Sequence, residues 1–227
     1  SLPAIKQPGG LPAPYAFRQR VREALRRAGL REVRLIPFVS DEDLEMVRDD
    51  DAVRVTNPLQ ADEGWLRTRL LPGLMATARR NVRRHVRSVA VFEVDTVFRM
   101  VDGQPVERPK AAFAMTGNAD PGWASGDRPF DVFDAKGVVE ALMAELGIGW
   151  SLGAVGIGDQ RPIGIHPAVA ERFDIPGRVG VAELEVEVLM RLARPFVRVE
   201  DVPRFPPIRR DLAFTVEAST PAERVRT

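Results

Sequence analysis

The chain has 227 residues, 44% of them hydrophobic and 29% charged, the balance of an ordinary globular protein with room for a sizeable core. Its net charge of +1 gives no global pull toward nucleic acid or a membrane surface, although Lys6, Lys110 and Lys136 are the lysines and the other 30 of the 33 basic residues are arginine. The lack of cysteine excludes disulfides, thiolate metal sites and cysteine nucleophiles, and with His85 and His166 as the two histidines neither a histidine metal cage nor a histidine-dependent triad is expected.

Taken in chain order, residues 1–14 carry Pro3, Pro8, Gly9, Gly10, Pro12 and Pro14 and read as an extended linker. Phe17, Val21 and Leu25 recur at i, i+4 and i+8 with arginines on the other faces, which predicts a helix over Tyr15–Ala28 closed by Gly29. Glu32–Val39 reads as a strand that Pro37 keeps out of a sheet centre. Ser40 then caps a short helix reaching Val47, with Asp41, Glu42 and Asp43 in its first turn. Ala52–Thr56 is a short strand before Asn57-Pro58, and Leu66–Val86 reads as a second long helix with Pro72 near its start.

Ser88–Met100 alternates as a long strand, Asp102-Gly103 marks a hairpin, and Lys110–Thr116 is its antiparallel neighbour. Asp134 is placed to cap a helix over Ala135–Leu146, where Val138, Val139, Leu142 and Leu146 form the apolar stripe and Gly147 the stop. Residues 151–165 are glycine-rich and irregular, and strands near Val181–Val188 and Asp211–Val216 complete the pattern. Hairpins, non-adjacent strands and segregated helices predict an α+β fold, a mostly antiparallel sheet flanked by helices. No apolar run approaches the roughly 20 residues that span a bilayer, and Ser1-Leu2-Pro3-Ala4 does not read as a signal peptide, so the expectation is a soluble cytoplasmic protein without a membrane partner.

Ala28-Gly29-Leu30-Arg31-Glu32-Val33 followed by Leu35-Ile36-Pro37 resembles motif 1 of the class II aminoacyl-tRNA synthetases, which in that family builds the subunit interface. Val91-Phe92-Glu93-Val94-Asp95-Thr96-Val97-Phe98-Arg99 resembles the first strand of motif 2. More specific stretches resemble the bacterial phenylalanyl-tRNA synthetase β subunit family: Asn57-Pro58-Leu59, Leu66-Arg67-Thr68-Arg69-Leu70-Leu71-Pro72-Gly73-Leu74 with Asn81, Phe92-Glu93, Asp131-Val132-Phe133-Asp134-Ala135-Lys136-Gly137 and Gly164-Ile165-His166-Pro167. Phe205-Pro206-Pro207-Ile208-Arg209-Arg210-Asp211-Leu212-Ala213 resembles the opening of that subunit's ferredoxin-like anticodon-binding domain. The matches run in order from about residue 15 onward. They imply a linker over 1–14, a class II synthetase-like core over 15–200 and the start of a ferredoxin-like domain over 201–227. The chain departs from the family where Trp150 runs almost directly into a glycine-rich segment, in place of a stretch containing the family's HPGR sequence.

The resemblance puts Arg99 at the motif 2 arginine, which in the family binds the α-phosphate of ATP, yet the acid expected two residues later is Val101. The motif 3 candidate, Glu187-Val188-Leu189-Met190-Arg191, has no glycine to let a backbone approach a nucleotide. One arginine without its partners cannot stabilise charge developing on a transferred phosphoryl group, so the fragment alone is predicted inactive, with no catalytic, cofactor-binding or metal-binding residue. A helix face carrying Arg79, Arg83 and Arg87, joined by Arg80 and Arg84, is a candidate RNA contact, weighed against a solvated or acid-paired face. His166 reads as structural, Gly153–Gly158 as a loop lacking the Lys-Ser/Thr of a phosphate loop, and Asp49-Asp50-Asp51 as a solvated turn.

The resemblance therefore implies a structural and assembly module. It docks the catalytic α subunit within an (αβ)2 heterotetramer that joins phenylalanine to tRNA-Phe using ATP and magnesium. Tyr15–Ala28, Glu32–Val39 and Asn57–Leu74 are the implied interface elements, and Pro37, Asn57, Pro58, Arg67, Pro72, Gly73, Glu93 and Arg99 the interface or structural residues. Arg67 and Glu93 stand out as members of buried or interfacial charge pairs. The alternatives are a tRNA-binding module using the arginine face, and a regulatory synthetase paralogue that binds a small metabolite.

Overall fold

The computed structural model describes residues 10–47, 49–58, 60, 63–119, 128–149, 173–194 and 215–217. The chain divides into two compact units, Ser1–Pro195 and Phe196–Thr227. Of the second unit only 215–217 are described, and they are in neither helix nor strand, so the strand expected over Asp211–Val216 otherwise lies outside the described residues. The same holds for the 151–165 segment, His166, the stretch Phe205–Ala213 and most of the 1–14 linker.

Helix α1 (Ala13–Arg27) buries Phe17, Val21, Ala24 and Leu25, the stripe expected from the sequence, and begins with Pro14 in its first turn. It ends in a Schellman turn: the N–H of Gly29, at φ +90°, donates to Arg26 and that of Leu30 to Leu25. Strand β1 (Arg31–Glu32) pairs in parallel with Val91 and Phe92. The single strand expected over Glu32–Val39 is instead split. Phe38–Val39 forms β2 in a second, three-stranded sheet, because Pro37 can donate no ladder hydrogen bond.

Helix α2 (Asp41–Val47) follows a reciprocal cap, in which Ser40 Oγ accepts from Asp43 N and Asp43 accepts from Ser40 N. Strands β3 (Val53–Arg54) and β4 (Trp65–Leu66) complete the small sheet in the order β2-β4-β3. Trp65 anchors it, its ring lying 5.5 Å from the Arg54 guanidinium while its Nε1 donates to Asp41 at 2.7 Å. The long helix predicted from Leu66 therefore begins only at α3 (Leu71–Arg83), where Pro72 sits in the first turn and needs no N–H partner.

Strands β5 (Ser88–Val101) and β6 (Gln104–Ala119) form one antiparallel ladder from Ser88↔Gly117 to Val101↔Gln104. Its turn places Asp102 at φ +49° and Gly103 at +75°, the left-handed pair that an Asp-Gly hairpin demands. β6 runs well beyond the expected Lys110–Thr116, since Pro105 and Pro109 lie where no third strand pairs on that side. Strand β7 (Arg128–Pro129) pairs with Asn118 and Ala119, and helix α4 (Val132–Glu145) follows. α4 starts before the predicted Ala135 because Asp131, not Asp134, is the cap: Asp131 accepts from Phe133 N and Asp134 N while Asp134 accepts from Asp131 N. Strand β8 (Val179–Glu185) pairs with Lys110–Thr116, and helix α5 (Val186–Leu192) replaces the rest of the strand expected to reach Val188.

The main sheet is thus mixed, with order β1-β5-β6-β7 and β8 also on β6, and the fold is α+β. Strand alternation sends successive residues to opposite faces. On one face Phe92, Val94, Phe113, Met115, Ala182 and Leu184 pack with α1, α4 and α5. On the other, Val91, Val97, Ala112, Ala114 and Val181 pack with Leu70, Leu74, Met75 and Ala78 at the start and middle of α3. Among the described residues no helix is long and apolar enough to cross a membrane.

Candidate functional site

On the α3 face of the sheet the pleat also brings in Glu93, Asp95, Arg99, Lys110 and Glu183, charged positions two apart among apolar ones. Burying those charges without partners would cost several kcal/mol each, so the structure supplies partners. The segment Leu66–Leu70, between β4 and α3, supplies those of Glu93, Asp95 and Glu183, while Asp49 and Asp51 supply those of Arg99.

Arg67 and Glu93 are 5% and 2% exposed. Arg67 Nη1 donates to both Glu93 oxygens at 3.1 and 3.2 Å, its Nε to the Thr96 carbonyl at 3.1 Å, and its Nη2 meets Asp95 at 3.1 Å. Glu93 also accepts the Leu35 N–H at 2.9 Å, tying in the connection between the two sheets. Burial pushes the Glu93 carboxyl above its ordinary value, and the Leu35 N–H and the Arg67 charge oppose that shift without cancelling it.

The next residues continue the pattern. Thr68 Oγ1 donates to Asp49 at 2.6 Å, Arg69 Nε to Asp49 at 3.2 Å, and the Leu70 N–H to Glu183 at 2.6 Å. Lys110 Nζ lies 3.4 Å from the other Glu183 oxygen. Arg99 reaches Asp51 at 2.8 Å and Asp49 at 3.2 Å. Burial pushes the Asp49 carboxyl up, but hydrogen bonds from Thr68 and Arg69 and the charges of Arg69 and Arg99 outweigh it and hold it below its ordinary value. The solvated turn expected of Asp49-Asp50-Asp51 is therefore a correction: Asp49, at 9% side-chain exposure, is a hub for three side chains.

The other sequence-selected residues fall nearby in chain but in separate roles. The carbonyl of half-buried Pro37 accepts the Arg67 N–H at 2.8 Å. Asn57 is exposed and Pro58 half-buried, between β3 and β4. Gly73 is close-packed, since a Cβ there would stand 2.7 Å from Leu35 Cδ1. Arg83 pairs with Asp174, and Arg80, Arg84 and Arg87 are exposed. Asp49, Asp51, Asp95, Lys110 and Glu183 were not selected from the sequence. The legible signal was the two-residue spacing of Glu93 and Asp95 between Val91 and Val97, which puts charge on a buried face. Among the described residues no three His, Asp or Glu side chains converge as a metal site.

A separate cleft of about 710 Å³ opens on the opposite face. Pro14 and Arg18 of α1, Thr96, Glu107 and Pro109 of the hairpin, and Met190 and Arg191 of α5 line it. Tyr15, in the same turn of α1, is 45% exposed, Leu11 61% and Met190 37%.

Two independent comparisons bear on this architecture. Residues 1–162 match the family model described as phenylalanyl tRNA synthetase beta chain CLM domain. The chain belongs to that family. It is 39% identical to the phenylalanine–tRNA ligase beta subunit of Symbiobacterium thermophilum, over 91% of this chain and 26% of the relative. It is 31% identical to the Listeria innocua protein of the same name (97% of this chain, 30% of the relative) and 32% identical to that of Novosphingobium aromaticivorans (96% and 31%). The chain spans between a quarter and a third of the length of these relatives. As a phenylalanyl-tRNA synthetase β chain segment, it carries the ion-paired Arg67 and Arg69 within the Leu-Arg-Thr-Arg-Leu-Leu-Pro-Gly-Leu stretch that bears the family resemblance.

Proposed function

We propose that this chain is a non-catalytic assembly module of the phenylalanyl-tRNA synthetase β subunit, built as a degenerate class II synthetase core. In this reading 15–200 form that core, 1–14 a linker and 201–227 the start of a ferredoxin-like domain. The module docks the catalytic α subunit within a cytoplasmic (αβ)2 enzyme that charges tRNA-Phe, with ATP and magnesium handled by the whole assembly.

The observation that carries the proposal is the state of the α3 face. A nucleotide site needs cations held open toward the ligand. Here Arg67, Arg69, Arg99 and Lys110 are each engaged by a carboxylate of the same chain, and Leu66–Leu70 with the start of α3 lies across the sheet. Arg99, the residue aligned with the phosphate-binding arginine, faces Asp49 and Asp51, so its surroundings do not fit ATP or its magnesium. The elements α1-β1, β5-β6 and β8-α5 occur in the order of motifs 1, 2 and 3, and β1 lies parallel to β5 on the sheet, which supports the class II reading. The partially exposed Met190 of the cleft and the exposed Leu11 and Tyr15, three residues before and one residue after the lining Pro14, supply apolar and aromatic anchors of the kind enriched in interfaces.

The test is co-purification of the full β subunit with the α subunit. Leu11→Glu/Tyr15→Glu places charge on two exposed residues that flank Pro14 in the chain, without touching the core, and is expected to reduce co-elution at an unchanged melting temperature. Wild-type co-elution of that variant would refute the placement. Deleting Asn57–Leu74 is not a usable test, because Leu70 and Leu74 are 1% and 0% exposed core residues.

A further inference from the structure

Residues 64–92 hold seven arginines and neither Asp nor Glu, in a chain whose overall charge is only +1. Arg67 and Arg69 are engaged by Glu93, Asp95 and Asp49. The other five crowd the end of α3 and its exit, where Arg80, Arg83, Arg84 and Arg87 are exposed and Arg79 half-buried. Arg83 pairs with Asp174, while Arg79, Arg80 and Arg84 have no ion-pair partner among the described residues. At about 100° per residue, Arg79, Arg80, Arg83 and Arg84 fall within an arc of roughly 140°. That arc points away from the buried Leu74, Met75 and Ala78.

Favourable interaction with the helix dipole explains the two cations of the last turn, Arg80 and Arg83, but it does not call for three more at Arg79, Arg84 and Arg87. A second feature sits at the centre of the patch. α3 ends in the same Schellman turn as α1 and α4, yet where those helices place Gly29 and Gly147 at the left-handed position, α3 places His85, at φ +62°. An exposed aromatic ring is thereby held among arginines at a position where glycine is the easier choice.

We propose that this end of α3 binds the sugar–phosphate backbone of RNA, with the arginines on phosphates and His85 available to stack on a base. An acidic protein surface fits less well, because such interfaces are centred on desolvated apolar anchors and the apolar side chain exposed here is the small Val86, at 38%. The choice of RNA over DNA rests on the reading that the module works in a tRNA ligase.

The test is fluorescence anisotropy of a labelled transfer RNA transcript titrated with the 227-residue chain across a salt series, with circular dichroism confirming that each variant is folded. Each phosphate contact contributes about 0.7 to 0.9 to the slope of log affinity against log salt. Arg80→Gln/Arg83→Gln/Arg84→Gln is therefore expected to lower the slope by about 2 to 3. Arg18→Gln/Arg108→Gln/Arg191→Gln, an equal loss of charge elsewhere, is expected to leave it unchanged. Equal slope losses in the two variants, or none in either, would overturn the proposal. So would competition by polyglutamate or duplex DNA as effective as that of RNA at matched charge. The α3 variant should still co-purify with the α subunit, which keeps this result separate from docking; loss of co-purification would assign the patch to the docking surface instead.

Discussion

Replacing Arg67 with Met tests whether the buried ion pair holds Leu66–Leu70 to the sheet. Met approximates the arginine stem, so the packing loss is small and the main effect is electrostatic. Glu93, 2% exposed, would keep one protein donor, the Leu35 N–H at 2.9 Å. Stranding a buried charge in this way costs about 3–5 kcal/mol. Glu93→Gln is milder at about 1.5–3 kcal/mol, since Arg67 retains Asp95 and the Thr96 carbonyl, and the glutamine oxygen still accepts from Leu35. Combining Arg67→Met with Glu93→Met removes both charges and leaves chiefly the Leu35 N–H unpaired, a loss of about 1–3 kcal/mol. The double variant should thus be more stable than Arg67→Met alone. Urea unfolding at pH 7, followed by circular dichroism with a constant slope, measures all three. Acid supplies a further check on Arg67→Met. With its folded-state affinity for a proton already raised, Glu93 favours folding as pH falls from neutrality toward the ordinary glutamate value near ~4.3, so the deficit of this variant should narrow there. A cost below about 1 kcal/mol for Arg67→Met, or a double variant no more stable than Arg67→Met alone, would refute the reasoning.

Asp49, held below its ordinary value, contributes stability that is present above the unfolded aspartate value and lost as pH falls toward its folded one. Asp49→Asn should therefore be less stable at pH 7 and show a shallower loss below about pH 4 in acid titration of the unfolding midpoint. Gly117, at φ +83°, would put a Cβ 2.2 Å from the Arg87 carbonyl oxygen, so Gly117→Ala should cost about 2–5 kcal/mol. Gly73→Ala meets only the movable end of Leu35, and with the gain in helix propensity should stay within about 1 kcal/mol of wild type by the same urea assay. His85→Gly relieves the left-handed position at the end of α3 and should raise stability by about 1 kcal/mol, seen as a higher melting temperature.

Helix faces and the hairpin were legible in the sequence because their signals are local. Phe17, Val21 and Leu25 mark one stripe, and Asp102-Gly103 a turn that few other dipeptides make. Leu66 misled because an apolar residue six positions before Pro72 fits a helical run as well as a two-residue strand, and only pairing with Phe38 and Val53 decides between them. Glu185-Val186 hides a strand-to-helix switch for the same reason: alternation continues across it, while pairing with β6 stops at Lys110↔Glu185, next to Pro109. The site was half legible. Arg67 and Glu93 stand out by their neighbours, whereas Asp49 looks solvated until a long-range contact with Thr68 and Arg99 brings it under cover.

The most direct measurement of the central claim is phenylalanine-dependent exchange of pyrophosphate into ATP, run on the purified chain alone and on the α subunit assembled with the full β subunit. No exchange by the chain alone, with exchange by the assembly, is the predicted result. Exchange by the chain alone would mean that the paired cations across the α3 face open to hold a nucleotide, which contradicts the assignment of this module to assembly.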